Sequence, residues 1–213
     1  MLSLVTGPAT PAVSTADAKT HLRVTSAVED SYIDSLVMAA TKKAEAFTSK
    51  RFINQTWRQS LDTLSQSMGS GPWWDGTKDG AISEMGGASE LDIIPLGIGP
   101  LVSITSFTYY GIDNVGVVWP STNYIADTNS EIGRLIKNYG AVWPSSLRDR
   151  NSIAIDFVAG YGAAASSIPG DIIQAIKLIL AHMYENRGDS DKAEKIPGLA
   201  MQLLESYRTK RMA

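Results

Sequence analysis

Cysteine is missing from the 213 residues. Its absence excludes disulfides, a thiol nucleophile, thiolate zinc sites and iron–sulfur clusters. Histidine is scarce: His21 and His182 are the two present, too few for a multi-histidine metal centre within one chain. A basic excess is also lacking. Lys and Arg number 19 against 22 Asp and Glu, a formal net charge of −3, which disfavours a freestanding nucleic-acid binder. No stretch reaches the ~18 uninterrupted apolar residues of a membrane span. The richest, Ile172 to Tyr184, is interrupted by Gln174, Lys177 and His182. The first residues carry no basic leader before an apolar run, and Pro8 and Pro11 break them early. A secretory signal is therefore not expected, and a soluble intracellular protein is. Asn54-Gln55-Thr56 then matches the glycosylation pattern by chance.

What is present is ordinary for a globular chain. The hydrophobic fraction is 44% and the charged fraction 19%, enough for a real core. The length suits one domain, or one domain with a large insertion. Ser14 to Asp17 can open a short helix through about Leu22. Ser26 and Glu29 have capping-box spacing, and behind them Ile33, Leu36, Val37, Ala40, Ala44 and Phe47 recur at helical intervals. A helix over about 27–49 is expected. Strand signals follow at 56–61, 91–94, 101–110, 124–125, 134–137 and 153–158. In the last, Ile153, Ile155 and Phe157 alternate with Ala154 and Asp156, so one face is buried. Residues 65–90, rich in glycine and holding Trp73-Trp74, read as a long loop. Helix returns after Pro169, where Ile172, Ile173, Ala175, Ile176, Ile179, Leu180, Met183 and Tyr184 exceed a single apolar stripe. Pro197 can begin a last helix at its first position, with Leu199, Leu203, Leu204 and Tyr207 on one face. Helices, a β-rich middle and helices again make an α+β chain. The segments are 14–50 helical, 52–160 β-rich with the loop 65–90, and 168–211 helical. The N- and C-terminal helices are expected to form a small bundle within one domain, 1–213.

The chemistry-bearing residues are few. His182 and Glu185 lie three apart on a helix, but no third ligand stands nearby, and a structural histidine is the better reading. Asp75 to Gly80 lacks the alternating ligands and closing glutamate of a calcium loop. The glycines at 97–99 and 160–162 form neither a Walker loop nor a dinucleotide fingerprint, and no Gly-x-Ser-x-Gly elbow is present. No catalytic residue, metal ligand or cofactor-binding residue is nominated, and no enzyme activity is expected. Trp73 and Trp74 are either tucked back on the sheet or held out for docking, a role tryptophan favours, with Asp75 and Asp79 beside them. Charge separates along the chain. Residues 62–95 carry Lys78 against Asp62, Asp75, Asp79, Glu84, Glu90 and Asp92, whereas the chain after 191 carries a basic surplus. Such opposed ends can orient subunits or partners.

Several stretches in order carry a family resemblance. They are Ala18-Lys19-Thr20-His21-Leu22-Arg23-Val24, the helix ending Ala44-Glu45-Ala46-Phe47-Thr48, Thr56-Trp57, and Ile94-Pro95-Leu96 leading to Val102-Ser103-Ile104. Tyr109-Tyr110, Phe157-Val158-Ala159-Gly160-Tyr161-Gly162, Ile168-Pro169, and Ala175-Ile176 through His182-Met183-Tyr184-Glu185-Asn186-Arg187 complete the set. From residue 16 to about 208 the chain resembles the head–tail connector, or head-completion adaptor, proteins of tailed bacteriophages and gene transfer particles. The 65–90 loop is longer and richer in glycine than that family's pattern.

The resemblance implies a structural virion protein at the head–tail interface, present in the host cytoplasm before assembly. It implies a ring, dodecameric in the particle, that binds beneath the portal protein and receives a stopper or tail-completion protein. Packaged DNA would pass close by without specific contact, and no cofactor and no membrane are implied. A head-to-tail ring needs heterologous interfaces that close. The over-apolar helix, through Ile172, Ile176, Ile179 and Met183, offers surface for them. The last helix is implied to reach the portal, with Leu199, Leu203 and Tyr207 buried in a groove and Arg208, Lys210 and Arg211 at its rim. Two other readings stay open: a carbohydrate- or surface-binding module using Trp73 and Trp74, and a small hydrolase using Glu185 and His182.

Overall fold

A computed structural model describes residues 1–62, 64, 92–187 and 195–209. The chain is mixed α+β, with two antiparallel sheets and four helices among the described residues. It divides into two compact units, one of residues 1–7 and 55–159 and the other of 8–54 and 160–209.

The first unit is built around one strand. β8 (Ile153–Ala159) lies at the centre of a five-stranded sheet ordered β1-β2-β8-β4-β5, with β1 (Leu2–Thr6), β2 (Gln55–Leu61), β4 (Leu101–Tyr110) and β5 (Gly116–Val118). Every neighbouring pair is antiparallel. On β8 the side chains of Ile153, Ile155, Phe157 and Ala159 are wholly buried, as the two-residue period requires. Phe157 stands opposite Trp57 of β2 and Ile104 of β4, and Ile155 opposite Gln59 and Phe107. Two irregularities in β4, at Leu101/Ser103 and Ile104/Ser106, let the ten-residue strand bend along β8. A smaller sheet, β3-β7-β6, joins β3 (Ile93–Pro95), β7 (Arg134–Lys137) and β6 (Tyr124–Asp127). Its Ile94, Leu135 and Tyr124 share one core with the inner face of β8. Trp119 and Trp143 stack at 4.9 Å between ring centroids, and Trp119 meets Phe107 at 5.1 Å. Aromatic pairs at such spacing add to their area burial. The buried Gln59 carboxamide accepts from Gly97 N–H at 3.1 Å and donates to the Pro95 carbonyl at 3.0 Å. The outer face of the large sheet is polar, with Arg58 gripping both oxygens of Asp156 at 2.6 and 2.7 Å.

Strands β1 and β5 are additions to the sequence reading. β1 is a five-residue segment before two prolines, and β5 is three residues long, too short for a periodic signal. The first residues thereby join the β-rich unit.

The second unit holds the helices. In α1 (Thr15–Leu22) Ser14 is the N-cap, its hydroxyl oxygen accepting from Asp17 N–H at 3.1 Å. α2 (Asp30–Thr48) starts three residues later than its capping-box spacing predicts. The Ser26 hydroxyl oxygen accepts instead from Val28 N–H, and the Glu29 carboxylate turns to another helix. α3 (Gly170–Glu185) packs against α2 and α4 (Gly198–Glu205), so the N- and C-terminal helices do form one bundle. Pro197 is the N-cap of α4 rather than its first residue, and the helix stops at Glu205, short of the expected 211. The core gathers Ile33, Val37, Ala40 and Ala44 of α2 with Ile172, Ile176, Ile179 and Leu180 of α3, and Ala200 and Leu204 of α4. No helix is long and apolar enough to cross a membrane among the described residues.

The Ala159-Gly160-Tyr161-Gly162 stretch has a steric reason. Gly160 has φ +152, and a Cβ there would lie 2.6 Å from the Asn54 backbone nitrogen. A Cβ on Gly162 would lie 2.3 Å from the Ser167 hydroxyl, and Gly162 bridges Ile53. Gly160→Ala should therefore destabilise by on the order of 1–3 kcal/mol, the cost of a strained backbone position. Gly7→Ala, which meets nothing within 4 Å, should be near neutral. Urea unfolding of the two variants checks the contrast.

Candidate functional site

The helical unit ties its two longest helices together at one end. The Tyr184 hydroxyl donates to Glu29 Oε2 at 2.5 Å, and Arg187 Nη1 donates to Glu29 Oε1 at 3.3 Å. The Arg187 guanidinium also lies over the Tyr184 ring, 5.1 Å from its centroid, and Tyr32 of α2 sits beside that ring. The Tyr184 hydrogen bond, and then Arg187, hold the Glu29 carboxyl below the usual carboxylate range. The same bond raises the Tyr184 phenol, and Glu29 raises the Arg187 guanidinium. The His-Met-Tyr-Glu-Asn-Arg segment thus owes two of its residues to a clamp between helices. His182 belongs to the same end, its Nδ1 3.3 Å from Asn186 Nδ2, while Glu185 is exposed. Among the described residues no three His, Asp or Glu side chains gather as metal ligands.

The residues nominated for partners fall into three groups. Ile172, Ile176 and Ile179 are wholly buried and Met183 is half-buried, all in the core of their own unit. Their burial accounts for α3 being apolar on several sides: α2 and α4 pack on it. In α4 and after it, Leu203 and Tyr207 also pack on that core. The Tyr207 hydroxyl donates to Asp171 at 3.3 Å, and burial, then Asp171, raises its pKa. Arg208 lies over the Phe47 ring at 5.2 Å and pairs with Glu205. Leu199 is 58% exposed and Met201 42%, on opposite flanks of the helix, since residues two apart do not share a face. Trp73, Trp74, Asp75, Asp79, Lys210 and Arg211 lie outside the described residues.

The sequence reading missed the apolar residues at the two edges of the large sheet. Leu2, Leu4 and Val5 on β1 are exposed, as are Val117 and Val118 on β5. The alternation Leu2-Ser3-Leu4 was the one signal available for β1.

No protein-family model matches the chain, and no curated protein sequence does. Solved structures do match, over its full length. A chain in the neck of an empty gene transfer agent (GTA) particle, computed with C6 symmetry, is 26% identical with a TM-score of 0.77. The comparison covers 100% of this chain and 97% of that one. A chain in the virion of a native GTA particle matches at 26% identity, the same coverage and a TM-score of 0.73. A chain in the neck of a native GTA particle computed with C12 symmetry gives 26% and 0.69, again covering 100% and 97%.

The clamp has a pH signature. Because the folded-state pKa of Glu29 is lowered, the stability it contributes is present above the ordinary carboxylate range, about pH 4–5, and is lost as pH falls through the folded value. Glu29→Gln should therefore flatten the acid limb of melting temperature against pH. Tyr184→Phe should reproduce part of that flattening. A limb unchanged in Glu29→Gln would show that other carboxylates set it.

Proposed function

We propose that the chain is a structural component of a virion neck, a head-completion adaptor that forms a closed ring beneath the portal and joins the DNA-filled head to the stopper or tail. The observation that carries this reading is the full-length match to a GTA neck chain at a TM-score of 0.77. The symmetric assemblies of the matched structures, C6 and C12, support a homo-oligomeric ring in contact with other neck proteins. A net charge of −3 per copy suits a ring near packaged DNA, since repeated negative charge keeps DNA from adhering. In this reading the protein is not an enzyme, and both units belong to one adaptor domain, 1–213.

The portal contact is assigned to the α4 end of the helical unit. Leu199 supplies an exposed apolar flank of that helix, and Met201 lies on the other flank. Leu203, Tyr207 and Arg208 fix the segment to its own unit, and Lys210 and Arg211 follow it in sequence with basic charge. A helix held on its inner side and carrying an exposed apolar flank docks into a groove without first having to fold.

Point variants separate docking from folding better than truncation, because α4 also places Ala200 and Leu204 in the core. Leu199→Glu should leave the melting temperature near that of the parent and yield DNA-filled heads without tails by electron microscopy. Leu204→Ala should cost about 2–5 kcal/mol of stability, the usual range for a buried leucine. Complete particles from Leu199→Glu would move the portal contact elsewhere.

A further inference from the structure

Among the described residues the large sheet ends in two edges, each paired on one side. β1 is exposed at all five positions and β5 at all three. Their sequences, LSLVT and GVV, contain no charged residue and no proline. Edge strands ordinarily carry such residues to prevent pairing with another chain. Among the described residues no strand pairs with the outer side of either edge. Met1 and Ser60 exchange both hydrogen bonds, so by antiparallel alternation Leu2 and Leu4 aim their N–H and C=O away from β2. The Trp119 N–H bonds to the Phe107 carbonyl, so by the same alternation Gly116 and Val118 aim theirs away from β4. Each edge thus offers two outward residues.

The edges also match in direction and in side chains. Four successive antiparallel pairings separate β1 from β5, so the two edges run the same way. Leu4 stands opposite Trp57, and Val117 opposite Tyr109. Through Phe157 and Ile153 both belong to the inner face of the sheet. The facing sheet has three strands against five, and Leu4 and Val117 remain 51% and 43% exposed.

We infer that β5 of one copy pairs in parallel with β1 of the next, so that the large sheet continues from copy to copy around the ring. A second copy is the occupant because the two edges complement each other. The small rotation between neighbours in a ring turns a strand by no more than the rotation angle, so β5 beside β1 is near parallel, as the four antiparallel steps demand. The contact is heterologous, the type that closes into a ring. Main-chain bonds supply the pairing, and Leu2 and Leu4 bury against Val117 of the neighbour. This inference rests on the proposed ring.

The absence of native cysteine allows a direct test. Leu4→Cys and Val117→Cys are made singly and in one chain, and a short bismaleimide is applied to purified particles and to concentrated protein. The double variant should give a ladder of cross-linked multimers. A mixture of the two single variants should give dimers of the unlike pair, and each single variant alone should remain uncross-linked. Cross-linking of Leu4→Cys with itself would overturn the inference, since it requires a two-fold β1–β1 contact. Rings visible by electron microscopy without cross-links in the double variant would overturn it and leave the ring standing. No ring in either preparation would overturn the proposed function along with it. As a second readout, Leu4→Lys with Val117→Lys should keep the parent melting temperature and lose ring formation.

Discussion

The alternation of β8 is the constraint on which the β-rich unit depends. Ile153, Ile155, Phe157 and Ala159 point to one side and are wholly buried. A register slip of one residue would turn all four to the other face and put Asp156 in the core. That periodicity fixes which faces of β2 and β4 point inward, and hence the positions of Trp57, Gln59, Ile104 and Phe107. The chain then leaves β8 through Gly160, where any side chain would meet the Asn54 backbone. The strand that organises one unit therefore leads directly into the glycine that admits the chain to the other.

Much of this was legible in the sequence. The strands at 101–110, 134–137 and 153–158 and the helices after Ser14 and Pro169 follow from period, capping and β-branched composition. The failures have specific physical causes. Ser26 and Glu29 have the spacing of a capping box, yet Glu29 instead accepts from Tyr184 and Arg187, 155 and 158 residues away, a long-range competitor no local pattern contains. The over-apolar α3 suggested an unpaired face because the number of helices packed around it cannot be read from its own sequence. Of the residues nominated on the last helix, Leu199 is exposed, whereas Leu203 packs inward. Spacing alone places both on one stripe, and the packing of α4 decides which of them its own unit covers.

The distribution of apolar surface shifts attention from helices to strands. The helical unit consumes its richest stripe internally and anchors its C-terminal segment by Tyr207 to Asp171 and Arg208 over Phe47. What remains outward on that unit is scattered, at Val28, Met38, Leu199 and Met201. Among the described residues the sheet edges combine outward backbone groups with uncharged side chains. These are two chemically different surfaces, an apolar helix flank and a hydrogen-bonding strand edge, and they suit different classes of contact.

The strand count carries one more implication. With five strands joined antiparallel throughout, the first and last have equal polarity. A relative that gained or lost a single strand at either edge would reverse that relation. One that gained or lost a whole hairpin would keep it. The parity of the sheet, rather than the identity of any one residue, thus decides whether its two edges agree in direction.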